Sequence, residues 1–414
     1  MAGQGFFTKE ETASVSIGKQ VLSCPSCGLY KNAMHPKMGV WGNGNKKILI
    51  IGEAPEEQDD RKGKPWQWKA GRHLKRVLSK YGVDLFEDCW TIHAVNCHIP
   101  NDEDGKPVAP ELHQIACCRS KVWDAINEYK PVLIIPLGIA AMQSLLSHRW
   151  KEAIGSMHKW RGWQIPDRET KCWVCPTFNP GYANEVQSAK AVFRDDIEKA
   201  LDYAGVQYPY DPDFGISMDE DDHIIHLPDN EDADKILMEL YRKKPALIEF
   251  DYETTGLKPH AEGHKIVMAS LATADECFTF WYPHGFKAFR RILRSKDIGK
   301  MAHNMKFEHM WTAVILGYEV VNWEWDSMLS SRLMNNLPGV SGLKFQVYVR
   351  MGVADYSSDI EHYLKSPGKD ANEFNNILQA PVPELRKYGG LDSRYGYNLA
   401  MKHRAFLNYE DWRD

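Results

Sequence analysis

The chain has 414 residues, more than one ordinary hydrophobic core accommodates, so two domains are expected. With 43% hydrophobic and 26% charged residues it has the make-up of a globular protein rather than a disordered or fibrous one, and no apolar run reaches the roughly 20 residues that span a bilayer. A net charge of −5 neither demands nor excludes nucleic acid, which is recognised by local patches.

The opening "MAGQGFFTKEETASV" lacks the apolar centre of a secretory signal, so a cytoplasmic protein without membrane contact is expected. Its nine cysteines are then expected to bind metal or stay free thiols rather than form a disulfide framework. Two Cys-x-x-Cys pairs occur, Cys24 with Cys27 and Cys172 with Cys175. Apolar β-rich runs recur as "KKILIIGEAP", "CWTIHAVNC", "KPVLIIPLG" and "KCWVCPTFNP", with helix-like segments between them at 71–81 and 111–129. This alternation predicts a parallel sheet covered by helices. Ligands of such sheets collect at the carboxyl ends of the strands, where "GEAP", "NCHIP", "PLG" and "FNPG" fall. The stretch after the first strand turns from acidic to basic and aromatic, with Arg61, Lys62, Lys64, Lys69, Arg72, Lys75 and Arg76 around Trp66 and Trp68. Cations beside aromatic faces suit phosphates and unstacked bases; a solvated surface with two packed tryptophans has the same composition.

"GVQYPYDPDFGISMDEDDH", from Gly205 to His223, is rich in turn formers and acids and reads as a linker. The expected organisation is a first domain over 1–204, an acidic linker over 205–221 and a second domain over 222–414. The second set of elements begins with "HIIHLP", a helix over 232–242, "PALIEFDYE", "IVMASLA" and "CFTFWYP", and turns mostly helical from Ala302 on. These predict a mixed α/β domain whose first strands form adjacent hairpins.

In "IEFDYETTGL", Asp251 and Glu253 are two apart on a strand and share a face. Adjacent carboxylates repel unless a cation lies between them, and a divalent ion answers that need. "MAHNMKFEHMW" places Asn304 at a helix N-cap with Glu308 one turn in. "PELRKYGGLDSRYGYNLAMKH" carries Tyr388 and Asp392 one helical turn apart on one face. Gly389 and Gly390 cost such a helix about 1 kcal/mol each, which points to close approach of backbone or substrate, or to tight packing.

Over nearly all of 222–414, the order of these segments resembles the proofreading exonuclease domain of family-A DNA polymerases, within the DEDDy 3′–5′ exonuclease superfamily. "FDYETTGL" is similar to the first motif, "HNMKFEHMW" to the second, "DSMLSSRLMNNLPGVSGLKF" to the intervening segment and "YGGLD" to the third. The resemblance implies a ribonuclease H-like fold and removal of nucleotides from single-stranded 3′ ends by two Mg2+ or Mn2+ ions. It implies that Asp251, Glu253 and Asp392 hold one ion, that Asp251 with Glu308 serves the second, and that Glu253 and Tyr388 orient the attacking water, with Asn304 on the substrate side. Glu308 stands where the family has Asp, a departure that moves the carboxylate by over about 1 Å, a scale of misplacement that costs up to about 10²-fold in rate.

Residues 20–204 resemble the iron–sulfur, family 4 uracil-DNA glycosylases. Gly52 to Pro55, Gly63, Pro65–Trp66 and Ala70–Gly71 follow that family's first motif, and "VLIIPLGIAAMQSLL" is similar to its strand, turn and helix. The resemblance implies a 4Fe-4S cluster on Cys24, Cys27, Cys97 and Cys118, a stacking role for Trp66, assistance to water or the developing sugar cation by Glu53, and a base-facing loop at Asn179. Zinc on Cys24, Cys27, Cys172 and Cys175 is the alternative metal. Asn179 replaces the family's His and Glu56 replaces the last glycine of GEAPG.

The expected fold class is therefore α/β, a parallel-sheet glycosylase-like domain followed by a mixed α/β exonuclease domain. The expected function is that of a DNA-processing enzyme working beside a separate DNA polymerase. The alternative is a non-catalytic DNA-binding or polymerase-associated scaffold. The combination is similar to the leading part of some bacteriophage polymerases.

Overall fold

A computed structural model describes residues 23–24, 26–150, 153–210, 224–357, 359–368, 370 and 372–409. Most of the expected linker, from 211 on, lies outside the described residues. The chain separates into two compact units, Met1–Gln164 with Cys172–Gln207 and Ile165–Lys171 with Tyr208–Asp414. None of the described helices is long and apolar enough to cross a membrane.

In the first unit, β1 (Ile48–Gly52) pairs in parallel with β2 (Cys89–His93) on one side and β3 (Leu133–Pro136) on the other, and β3 pairs with β4 (Cys172–Val174). Every residue of β1 and β3 is buried, which is why these strands read as continuous apolar runs rather than as alternating ones. Helices at Lys69–Ser79, Leu112–Tyr129, Ile139–Leu146 and Gln187–Asp202 accompany the strands. The first of them starts two residues before the expected 71, because Trp68 in extended conformation serves as its N-cap. The parallel α/β arrangement expected from the alternation is the one present.

The second unit holds six strands in the order β10-β9-β6-β7-β8-β5, from β5 (Ile224–His226), β6 (Leu247–Thr254), β7 (Ile266–Ala272), β8 (Cys277–Trp281), β9 (Gly299–Ala302) and β10 (Trp323–Asp326). Strands β6, β7 and β8 form the expected antiparallel run, while β9 joins β6 in parallel and β10 joins β9. The edge strand β10 lies within a stretch that reads as helical, where the alternation in "NWEWD" is too short to stand out. Phe250 and Tyr252 face a core of Leu237, Leu240, Phe280, Phe289, Ile292 and Trp311. The opposite face of β6 therefore presents the acids to the long helix Val382–Phe406.

Candidate functional site

Strand β6 carries three acids on one face, Glu249, Asp251 and Glu253, each separated by an apolar or aromatic residue that enters the core. Asp392, from the long helix, meets two of them: ligand oxygens of Asp251, Glu253 and Asp392 lie within 4.8 Å of one another. Asp251 is half-buried and the other two are buried. Glu308, buried in the first turn of the helix Met305–Trp311, hydrogen bonds to Asp251, and its Oε2 has no partner. Tyr388 hydrogen bonds to Asp392, and the Tyr356 hydroxyl donates to Asp392 Oδ1 at 2.6 Å.

Burial foremost, and then the charge of Asp392, push Asp251 up to about 8. Burial and the neighbouring Asp251 hold Glu253 and Glu308 well above the usual carboxylate range. Without a cation the nest therefore keeps protons that a metal would displace. Lys344 offers a positive charge to Glu253 and Asp392, and its Nζ stands 5.4 Å from the ring centre of Tyr388. Hard carboxylate oxygens, a mutual spacing within reach of one ion and an orphaned buried Oε2 fit a divalent cation.

The packing explains the small residues of the long helix. A Cβ on Gly389 would stand 2.9 Å from Met268, and one on Gly396 would stand 2.3 Å from Glu249 Oε1. The sheet thus approaches the helix backbone itself, and tight packing accounts for Gly389. Asp326 ties the helix bearing Glu308 to the neighbouring helix Ser327–Met334, accepting from the backbone N–H groups of Asn304, Met305, Met328 and Leu329. Asn304 is the residue before the first of these helices, in left-handed conformation, and its side chain makes no cap bond. Glu249, Lys344, Tyr356 and Asp326 were missed at the sequence level; of these only Glu249 carried a signal, the same alternation that marks Asp251 and Glu253.

In the first unit, Glu53 follows the carboxyl end of β1. Its Oε1 accepts from Ala140 N–H at 3.1 Å at the start of the helix Ile139–Leu146, and its Oε2 accepts from Asn179 Nδ2 at 2.7 Å. Burial raises its pKa while these donors oppose the rise. Gly138 sits at φ 94°, and a Cβ there would stand 2.6 Å from the Glu53 carboxyl carbon, so only glycine lets the carboxylate reach the helix start. The Asn179 Oδ1 accepts from Gly181 N–H at 2.7 Å, leaving both ends of that amide engaged. Trp66 is buried; its ring lies 5.0 Å from His93, and its Nε1 donates to Thr91 Oγ1. The exposed tryptophan of this loop is Trp68.

Cys97 and Cys118 each have Cys24 and Cys27 as electrostatic neighbours, and burial pushes Cys118 up to about 11. Cys117 also hydrogen bonds to Cys27. Burial first, and then Cys172, raise the Cys175 thiol. Among the described residues, no three cysteine sulfurs fall within the 4.8 Å mutual spacing that the carboxylates meet. A tetrahedral zinc–thiolate site needs sulfurs about 3.8 Å apart.

A parallel α/β unit with an acid and an amide at its strand ends, in one chain with a mixed-sheet unit holding a carboxylate nest, defines a protein of the DNA-processing hydrolase class. Residues 40–202 match the uracil DNA glycosylase superfamily. The type-4 uracil-DNA glycosylase of Saccharolobus solfataricus is 32% identical over 188 residues, which are 44% of this chain and 82% of that protein. By its first unit the chain belongs to the uracil-DNA glycosylase superfamily. The DNA polymerase of Bacillus phage SP01 is 24% identical over 392 residues, covering 87% of this chain and 40% of that protein. Among solved structures, the exoribonuclease RNase D of Escherichia coli matches with a TM-score of 0.32 and 17% identity, over 43% of this chain and 44% of that one.

Proposed function

We propose that the protein is a metal-dependent 3′–5′ exonuclease acting on single-stranded DNA, joined to a uracil-DNA glycosylase-like domain that holds an iron–sulfur cluster. The observation that carries the first part is the convergence of Asp251, Glu253 and Asp392, with Glu308 bonded to Asp251 and Tyr388 to Asp392. Mg2+ or Mn2+ held by these acids supplies charge neutralisation and a more acidic water. Glu253 and the Tyr388 hydroxyl orient that water toward the phosphorus. Asp251 and Glu308 share a proton in their hydrogen bond, which a bound cation would displace. The Lys344 ammonium, beside Glu253 and Asp392, would offset the negative charge that grows on the non-bridging oxygens as the phosphodiester is attacked. Separation of the domains at the acidic linker, and association with a separate DNA polymerase, belong to the same reading.

The test is digestion of a 5′-labelled oligonucleotide with Mg2+ or Mn2+. Stepwise loss of 3′ nucleotides by wild type, and its absence in Asp251→Ala, supports the reading; an intact oligonucleotide with wild type, or equal digestion by the variant, refutes it.

For the first unit, Cys24, Cys27, Cys97 and Cys118 are the proposed cluster ligands, supported by the packing of Cys27, Cys97 and Cys118 in one cluster and by Cys24 and Cys27 as electrostatic neighbours of the other two. Brown anaerobic protein containing iron is expected; colourless protein containing zinc contradicts it. A second reading, that this unit binds DNA without excising uracil, is favoured by the Asn179 amide, a neutral group held in place by one N–H donated to Glu53 and by the Gly181 N–H accepted at its oxygen.

A further inference from the structure

The basic, aromatic segment after β1 resolves into two parts. Trp66 turns inward, while Trp68, two residues on, stands 42% exposed at the start of the helix Lys69–Ser79. The loop between them is held rigidly. Trp66 adopts φ 63°, a left-handed conformation that costs a bulky residue about 1–2 kcal/mol. Asp59 Oδ1 accepts from Gln67 N–H at 2.6 Å, and Lys75 Nζ donates to the Trp66 carbonyl at 3.3 Å. A Cβ on Gly71 would stand 2.3 Å from that carbonyl oxygen, so the helix packs directly on the strained turn.

The helix buries Ala70, Leu74, Val77 and Leu78 and leaves Lys69, Arg72 and Arg76 exposed on its outer face. The Lys69 Nζ lies 5.9 Å, and the Arg72 guanidinium 5.8 Å, from the Trp68 ring centre. These three cations occupy positions three and then four residues apart, about 4.5 and 6 Å along the axis, a ladder on the scale of successive phosphates. An exposed indole beside such a ladder matches the parts of a single-strand site, an aromatic face for a base and cations that follow the backbone. Ala70 lies 3.7 Å from the place of a Cβ on Gly181, whose N–H is bound by Asn179, so the helix starts beside the loop that carries Asn179.

We propose that Trp68, Lys69, Arg72 and Arg76 form a strand-binding surface for single-stranded DNA, in which Trp68 stacks on an unpaired base and the three cations neutralise adjacent phosphates. This rests on the reading of the first unit as a DNA-facing domain and adds a site separate from the carboxylate nest.

The test is binding of a fluorescent thymidine oligonucleotide to the full-length protein in EDTA, by anisotropy, across a range of salt. Trp68→Ala is expected to weaken binding about tenfold with an unchanged salt slope, and Trp68→Phe to restore most of it. Arg72→Ala with Arg76→Ala is expected to lower the slope by about 1.4, from roughly 0.7 for each lost phosphate contact. Wild-type affinity in Trp68→Ala, or an unchanged slope in the double variant, overturns the proposal, as does an equal loss on duplex DNA. Metal-dependent digestion is measured in parallel. Unchanged binding with normal digestion defeats this site alone; lost binding beside a wild type that digests nothing defeats the nuclease reading alone.

Discussion

Glu308 reaches Asp251 from the first turn of its helix, and the two acids share a hydrogen bond that requires a proton between them. Its longer side chain thus meets the nest, while its buried Oε2 has no hydrogen-bond partner. In the proposed reaction the cation that would act on the phosphate is Lys344, whose charge reaches Glu253 and Asp392 and whose Nζ stands over the Tyr388 ring. Lys344→Ala is expected to lower kcat about 10²-fold with little change in KM, the size of loss seen when one donor to a developing oxyanion is removed. Removing a cation from among acids also strengthens metal binding, so the same variant is expected to need less Mg2+ for half-maximal activity. A lysine that served only packing moves neither quantity in that pattern, and steady-state kinetics over a Mg2+ series separates the two. That Asp251 and Glu253 share one face and Tyr388 and Asp392 another was legible because strand and helix periods fix such neighbours, whereas the meeting of the two pairs was implied only by the resemblance in the order of the segments. Lys344 and Tyr356 were not legible, since they come from segments whose approach to the nest is set by tertiary packing and leaves no local pattern.

Among the elements, the helix carrying Glu308 is placed by a side chain outside it. Asp326 ends β10, caps the helix Ser327–Met334 and takes the N–H groups of Asn304 and Met305, so one carboxylate anchors two helix starts. Loss of an N-cap acceptor costs about 1 kcal/mol, and the two part-buried N–H groups of Asn304 and Met305 lose their partner as well. Asp326→Ala is therefore expected to destabilise the protein by about 2–4 kcal/mol in urea unfolding and to reduce nuclease activity through displacement of Glu308. Full activity with a wild-type unfolding midpoint would show that the anchor has no such role. The strand-helix alternation of the first unit and the hairpin strands of the second were readable from periodicity alone. Strand β10 was not, because four residues between helices give too short a run to outweigh the helical pattern around it. The glycines at 389 and 396 are explained only by what lies opposite them, Met268 and Glu249, which no linear pattern displays.

For the molecule as a whole, the buried acids set how stability responds to pH. Glu249, Asp251, Glu253 and Glu308 all have raised pKa values, chiefly through burial, so the folded protein holds more protons than the unfolded chain above about pH 4. Stability from these groups is full below the unfolded value and is lost as pH rises through the folded one. His303 and His403, lowered to about 4 and about 3 by burial, act in the opposite sense below pH 6.5. Asp392 is raised by burial as well and His226 lowered by it, so five acids of this unit outweigh three histidines. In EDTA the thermal midpoint is expected to fall between pH 5 and pH 8, and Mg2+ is expected to raise it more at pH 8 than at pH 5. A metal effect that shrinks with rising pH would contradict this. The most direct test of the central claim is anomalous diffraction from crystals soaked in Mn2+: the account predicts manganese in the nest, bound by Asp251, Glu253 and Asp392 with a second ion between Asp251 and Glu308, whereas no manganese among these carboxylates, at saturating metal and neutral pH, would contradict it.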